Sequence, residues 1–168
     1  MSRLDSFIRR ALAQRDCLAD AARRTADLAG PVVELGLGNG RTYDHLRRLL
    51  PEREIFVFDR RVAAHPDCVP DAEHLILGDF RQTIPGAMMR LGAPAALLHG
   101  DVGSGDAANT AALAAWLGPA ITPLLAPGAV VVFDQALKDA GLYRLEPPAN
   151  VDAERYFMYR AGGVGSES

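Results

Sequence analysis

Cysteine is scarce in this chain. Cys17 and Cys68 are the only two among 168 residues, which makes neither a disulfide framework nor a metal-ligand spacing. They are expected as reduced, unpaired thiols. Long hydrophobic runs are missing too. No segment approaches the roughly 18 continuous apolar residues of a membrane span, so no membrane partner is expected. The N-terminus carries many arginines but no apolar stretch of the kind a signal peptide needs. Asp5, Asp16, Asp20 and Asp27 argue against a transit peptide. A cytoplasmic location is the expectation. Excess positive charge is also absent. The formal net charge is -3, and the arginines are interleaved with acids as on a solvated surface. The basic stripe of a nucleic-acid binder is therefore not there.

What the chain does have is apolar content, 49% of its residues, enough at this length for one sizeable core. Residues 1–160 are expected as a single domain, with an N-terminal helix in 1–29, a core in 30–160 and a flexible tail over 161–168. Leu4, Ile8, Leu12, Leu18, Ala22 and Leu28 recur at helical spacing over 3–29. Ser2 and Asp5 form a capping pair at its start, and Gly30-Pro31 ends it. A strand at 31–36 follows, then a helix at 41–50 that stops before Pro51. The alternation repeats with strands at 54–61, 74–80, 95–101 and 128–135. A helix at 106–125 carries a break at Gly118-Pro119, and 142–146 with 155–160 reads as a terminal strand pair. Near-continuous apolar strands separated by helices predict a mostly parallel sheet buried on both faces, an α/β fold.

Several strands end in a carboxylate: Glu34, Asp59, Asp79, Asp101 and Asp134. Ligands of open α/β sheets bind beyond the carboxyl ends of the strands, so these five acids predict an acidic rim around one crevice. Asp is also common at turns and caps, a reading that suits one or two of them better than all five. The first strand runs into Glu34-Leu35-Gly36-Leu37-Gly38-Asn39-Gly40. Its G-x-G-x-G spacing brings the third glycine one residue earlier than in the dinucleotide fingerprint. Glycines let backbone approach a ligand closely, but Glu34, two residues before the first glycine, would repel a phosphate and suit a cation. Asp59 ends the second strand 19 residues after Gly40, where a carboxylate can accept both hydroxyls of a ribose.

Glu34 through Gly40, together with Asp59, Gly78-Asp79-Phe80, Asp101 and "LLAPGAVVVFD", resembles the class I S-adenosylmethionine-dependent methyltransferases. The resemblance spans roughly residues 30 to 160. It implies a Rossmann-like three-layer sandwich whose seven-stranded sheet has the order 3-2-1-4-5-7-6, with strand 7 antiparallel. It also implies S-adenosyl-L-methionine as cofactor. The implied site comprises Glu34 toward the methionine amino group, directly or through water, and Gly36, Leu37, Gly38, Asn39 and Gly40 under the cofactor. Asp59 would take the ribose, with Arg60 beside it. Gly78, Asp79 and Phe80 would lie near the adenine, and Asp101 would complete the set. The cofactor has an ammonium, a sulfonium and no phosphate, which agrees with the carboxylates.

Methyl transfer from a sulfonium is an in-line displacement that positioning can accelerate, sometimes with a base to deprotonate the acceptor. Asp101, Asp134 and His99 are the candidate catalytic residues. His99 is also readable as a buried, satisfied histidine. Asp134-Gln135 after strand five, with Asp101 after strand four, resembles the catechol-type divalent-metal O-methyltransferases. That resemblance implies Mg²⁺ held by Asp101, Asp134 and Gln135, with Gln135 departing from the family's Asn. In the bland alternative Asp101 touches cofactor or acceptor and Asp134 caps a turn. "VGSGD" (102–106) reads as a mobile loop over the acceptor site or as a plain surface turn. No N-P-P-Y-like segment follows strand four, unlike the amino-methylating DNA enzymes. The expected reaction is methylation of a small-molecule acceptor, O-methylation favoured. A non-catalytic binder of the cofactor or its demethylated product is one alternative, and an NAD-binding oxidoreductase another. The N-terminal helix is expected to cover the acceptor pocket or to form a homodimer or higher homo-oligomer contact.

Overall fold

A computed structural model describes residues 2–103 and 105–162. Seven strands form one sheet in the order β3-β2-β1-β4-β5-β7-β6. They are β1 (Val32–Leu35), β2 (Ile55–Asp59), β3 (Leu75–Leu77), β4 (Ala95–Gly100), β5 (Leu125–Phe133), β6 (Leu142–Leu145) and β7 (Phe157–Ala161). Strands β1 to β5 run parallel, and β7 lies antiparallel between β5 and β6. This is the expected Rossmann-like order.

Two apolar layers cover the sheet. Val33, Leu35, Phe58 and Leu98 face α5 (Ala107–Ile121) and the short α3 (Phe80–Thr83) and α4 (Ala87–Leu91). Val32, Val57, Leu97 and Val132 face α1 (Arg3–Arg24) and α2 (Arg41–Leu49). The alternation is the two-residue period of a strand, and it decides where β1 and β4 place their polar residues. Glu34 follows Val32, and His99 follows Leu97, onto the face beneath α1. The sheet pairs Glu34 with His99 in register.

The chain leaves β1 toward β2 and β3, then returns to the opposite side of β1 as β4. The ends of β1 and β4 are thus the switch point where open α/β sheets leave a crevice. Gly36 follows β1 and Asp101 follows β4, and the Asp101 amide bonds the Leu35 carbonyl at 3.1 Å.

Helix α1 begins with the expected capping box between Ser2 and Asp5. It ends at Arg24, five residues short of the expected 29. The Thr25 hydroxyl turns back to the Ala21 carbonyl at 2.9 Å. Arg53 then takes the carbonyls of Thr25 and Gly30 at 2.6 and 3.0 Å. A side chain 28 residues away thus replaces helical bonds, which the local pattern does not reveal. Helices α3 and α4 were not expected. They span four and five residues around Pro85, too short for a helical period. In α5 the helix continues through Pro119, and the Thr122 hydroxyl bonds the Gly118 carbonyl at 2.9 Å. Ala161, expected in a tail, closes β7. Residues 163–168 of that tail lie outside the described residues. Both cysteines are free.

Candidate functional site

Two cavities open at the switch point. The first, about 380 Å³, lies between α1 and the glycine turn, lined by Phe7, Arg10, Gln14, Thr42, His45 and Asp101 among others. The second, about 320 Å³, lies on the β2 side, with Asp59, Arg60, Phe80, Val102 and Leu113 in its walls. Gly36, Gly38 and Asp101 belong to both, so they form one groove divided by the turn.

The turn itself is held by Asp59. One carboxylate oxygen accepts the Leu37 and Gly38 amides at 2.8 and 3.2 Å, and the other accepts the Arg61 amide at 3.3 Å. Gly36 sits at φ +93°, and a Cβ there would lie 2.6 Å from the Asp101 carbonyl oxygen. A side chain is therefore excluded at the point where the cavities meet. Gly38, at φ +52°, has open space around it.

Among the expected site residues, Gly36, Leu37, Gly38, Asn39, Asp59, Arg60, Phe80 and Asp101 line one cavity or both. Others line neither. Gly40 starts α2 in the left-handed region, with its Cβ position against Cys68. Asp79 caps α3 by accepting the Arg81 amide at 2.9 Å, and Gly78 packs on Thr83.

Glu34 and His99 are both fully buried, which leaves neither in direct contact with the groove. The strand period turned both beneath α1. One Glu34 oxygen receives the Thr42 hydroxyl, and the other lies 3.0 Å from His99 Nδ1. His99 Nε2 meets the Tyr156 hydroxyl at 3.1 Å. The Gln14 amide nitrogen reaches that same hydroxyl at 2.8 Å and Asp101 at 3.3 Å. Arg10, one turn earlier on α1, caps Asp101 and lies 3.9 Å from Asp134. Burial opposes a charge on His99, yet the Glu34 carboxylate, backed by Asp101 and Asp134, raises its pKa above the ordinary histidine value. Burial, then the charge of Asp101, raises Asp134 above the usual carboxylate range. Burial pushes Tyr156 well above an ordinary phenol.

The expected magnesium triad does not fit this arrangement. Asp134 accepts the Val102 and Gly103 amides at 3.1 and 3.0 Å and the Gln135 amide nitrogen at 3.2 Å. Gln135 therefore points a donor, not an oxygen, at the place a hard cation needs ligands. The Arg10 guanidinium supplies the positive charge there instead. Among the described residues no group of three His, Cys, Asp or Glu side chains is placed to hold a metal. Asp134 ties down the loop after β4, a cap across strands rather than after its own. Ser104 of the "VGSGD" segment lies outside the described residues.

Sequence reasoning missed Arg10, Gln14, Thr42, His45 and Tyr156. Arg10, Gln14 and Leu18 share one face of α1 at i, i+4 spacing, and that was the available signal. His45 lies in α2, five residues past the turn, and its Nε2 is buried with no hydrogen-bond partner among the described residues. An unpaired buried polar atom in a cavity wall is a candidate ligand contact. The left-handed glycines and the carboxylates at the groove also suit a cationic, phosphate-free ligand.

Residues 1–161 match a family model described as S-adenosyl-L-methionine methyltransferase. The crystal structure of an S-adenosyl-L-methionine methyl transferase from Silicibacter pomeroyi is 47% identical. That match covers 96% of this chain and 99% of the other, with a TM-score of 0.91. More distant likenesses include the antibiotic-resistance methyltransferase Kmr, 16% identical over 88% of this chain and 93% of that one, TM-score 0.53. The sugar N-methyltransferase KedS8 from Streptoalloteichus is 21% identical over 80% of this chain and 55% of that one, TM-score 0.52. These two share the fold. No curated protein matches.

Proposed function

The chain belongs to the S-adenosyl-L-methionine methyltransferase family, and from that premise we propose that its methyl acceptor is a small molecule, an oxygen nucleophile being favoured. The observation that carries this reading is the 380 Å³ cavity roofed by α1, which shares Gly36, Gly38 and Asp101 with the cavity that holds Asp59. A space of that size suits a small ligand.

In this reading the second cavity takes the adenosine, with Asp59 toward the ribose hydroxyls and Phe80 and Val102 against the ring. Gly36 and Gly38 would let the backbone approach the cofactor closely, and Asp101 would face its cationic end. When bound, S-adenosyl-L-methionine supplies a methyl group on a sulfonium, already activated for displacement. The protein's part is to place the acceptor in line. Phe7 and α1 cover the cavity, Asp101 accepts the hydrogen of an acceptor hydroxyl, and His45 Nε2 offers a buried polar atom with no partner among the described residues. Glu34, His99 and Asp134 act from behind. The geometry does not favour a metal step.

Residues 1–160 are read as one methyltransferase unit. A cytoplasmic setting is supported by two free cysteines, with burial pushing the Cys17 thiol up to about 12. No described helix is long and apolar enough to cross a membrane. Leu4, Ile8 and Leu12, exposed along one side of α1, support a homo-oligomer contact. The test is a screen of small hydroxyl, amine and thiol compounds with methyl-labelled cofactor, read by mass spectrometry. Label on a hydroxyl compound supports the reading; label only on amines or thiols, or on none of the compounds, overturns it.

A further inference from the structure

The groove's acid is not held by its own strand alone. Gln14, Tyr156, His99 and Glu34 form one hydrogen-bonded series that begins at Asp101 and ends inside the sheet, and none of the last three lines either cavity. Each hydrogen in the series has one place to go. The Gln14 amide nitrogen carries two, one for Asp101 and one for the Tyr156 oxygen. With His99 neutral and its proton on Nδ1, the Tyr156 hydroxyl donates to Nε2 and Nδ1–H donates to Glu34. The Thr42 hydroxyl fills the other Glu34 oxygen. That tautomer leaves no member unsatisfied, and a fully satisfied buried network is rigid.

The series also joins elements far apart in sequence. Gln14 is on α1, Tyr156 precedes β7, His99 is in β4 and Glu34 in β1. Tyr156, His99 and Glu34 are all fully buried, whereas the Asp101 side chain is 28% exposed at the mouth of the groove. A rigid interior is thus wired to one accessible carboxylate through a single amide.

Resting on the cofactor reading above, we propose that Tyr156 and Gln14 are positioning residues. Braced by His99 and Glu34, they fix the Asp101 carboxylate toward the cationic end of the cofactor and seat α1 over the acceptor cavity. Their effect on binding is transmitted through Asp101 and disappears when Asp101 can no longer respond.

The experiment is a double-mutant cycle on the full chain, read as the Kd for S-adenosylhomocysteine by titration calorimetry. Tyr156→Phe removes the hydroxyl and keeps the ring. It is expected to weaken binding at least tenfold in the parent and less than threefold in the Asp101→Asn background. Gln14→Ala, on a partly exposed helix face, is expected to show the same dependence and covers the case in which Tyr156→Phe folds poorly. Equal losses in both backgrounds overturn the proposal, because a merely structural role gives additive effects. So does an Asp101→Asn protein that binds as the parent does. No binding of S-adenosylhomocysteine by the parent is a different failure, that of the cofactor reading itself.

Discussion

Adding one methyl group at Gly36 and, separately, at Gly38 tests the groove most directly. In Gly36→Ala the new Cβ would sit 2.6 Å from the Asp101 carbonyl oxygen at φ +93°. Neither backbone can retreat easily. The Gly36 amide bonds the Phe58 carbonyl at 2.8 Å, and the Asp101 amide bonds the Leu35 carbonyl at 3.1 Å. The dihedral penalty is about 1–3 kcal/mol, and displacing packed backbone adds about 1–3 kcal/mol. A loss near 3 kcal/mol corresponds to roughly 6–12 °C in Tm for a chain of this size. Gly38→Ala bears only the dihedral penalty, about 1–2 kcal/mol, because nothing lies within 4 Å of its Cβ position. Urea unfolding and calorimetric binding of S-adenosylhomocysteine measure both consequences. Gly36→Ala should be the less stable variant and should bind at least tenfold more weakly than Gly38→Ala. Equal stability of the two variants, or near-parental binding by Gly36→Ala, would refute the steric argument.

Asp59→Ala removes the acceptor of the Leu37 and Gly38 amides, and S-adenosylhomocysteine should bind at least tenfold more weakly by calorimetry; an unchanged Kd takes Asp59 out of the site. The folded pKa of His99 lies above its free value, so the stability it contributes is complete below about pH 6.5. That contribution is lost as pH rises through the folded value. Urea melts across this range should show the decline in the parent and its absence in His99→Gln. Magnesium chloride, followed by calorimetry with and without S-adenosylhomocysteine, should give no saturable heat, since Arg10 and three N–H donors occupy the Asp101–Asp134 neighbourhood.

The fold was legible because its signals are local and repeated. Apolar strands between helices gave the sheet, and the glycine turn and Asp59 lie at the groove formed by the two cavities. Position along a strand gave less. Glu34 and Asp59 share one face of the sheet, but Glu34 pairs with Val57 inside β1, under α1, while Asp59 lies one step past the last pair, Leu35 with Phe58, at the glycine turn. Knowing which requires the register between strands. Asp134 invited a metal reading because sequence shows the carboxylate and not the amides of Val102 and Gly103, brought to it from 31 or more residues away. Gln14 and Tyr156 lie 142 residues apart and carry no pattern that predicts their meeting. Arg53, which ends α1 from outside, was hidden for the same reason.

In the proposed reading, most of one wall of the acceptor cavity comes from a single stretch, Phe7 to Leu18, that precedes the first strand. The donor-side residues all come later in the chain. On that reading the two halves of the reaction are encoded in separable blocks of sequence. Exchanging the first 24 residues between relatives, while keeping Arg10 and Gln14 as the attachment to Asp101, becomes a route to new acceptor preference that leaves the donor half untouched. In a family built this way, selectivity can diversify at the N-terminus while the sheet stays fixed.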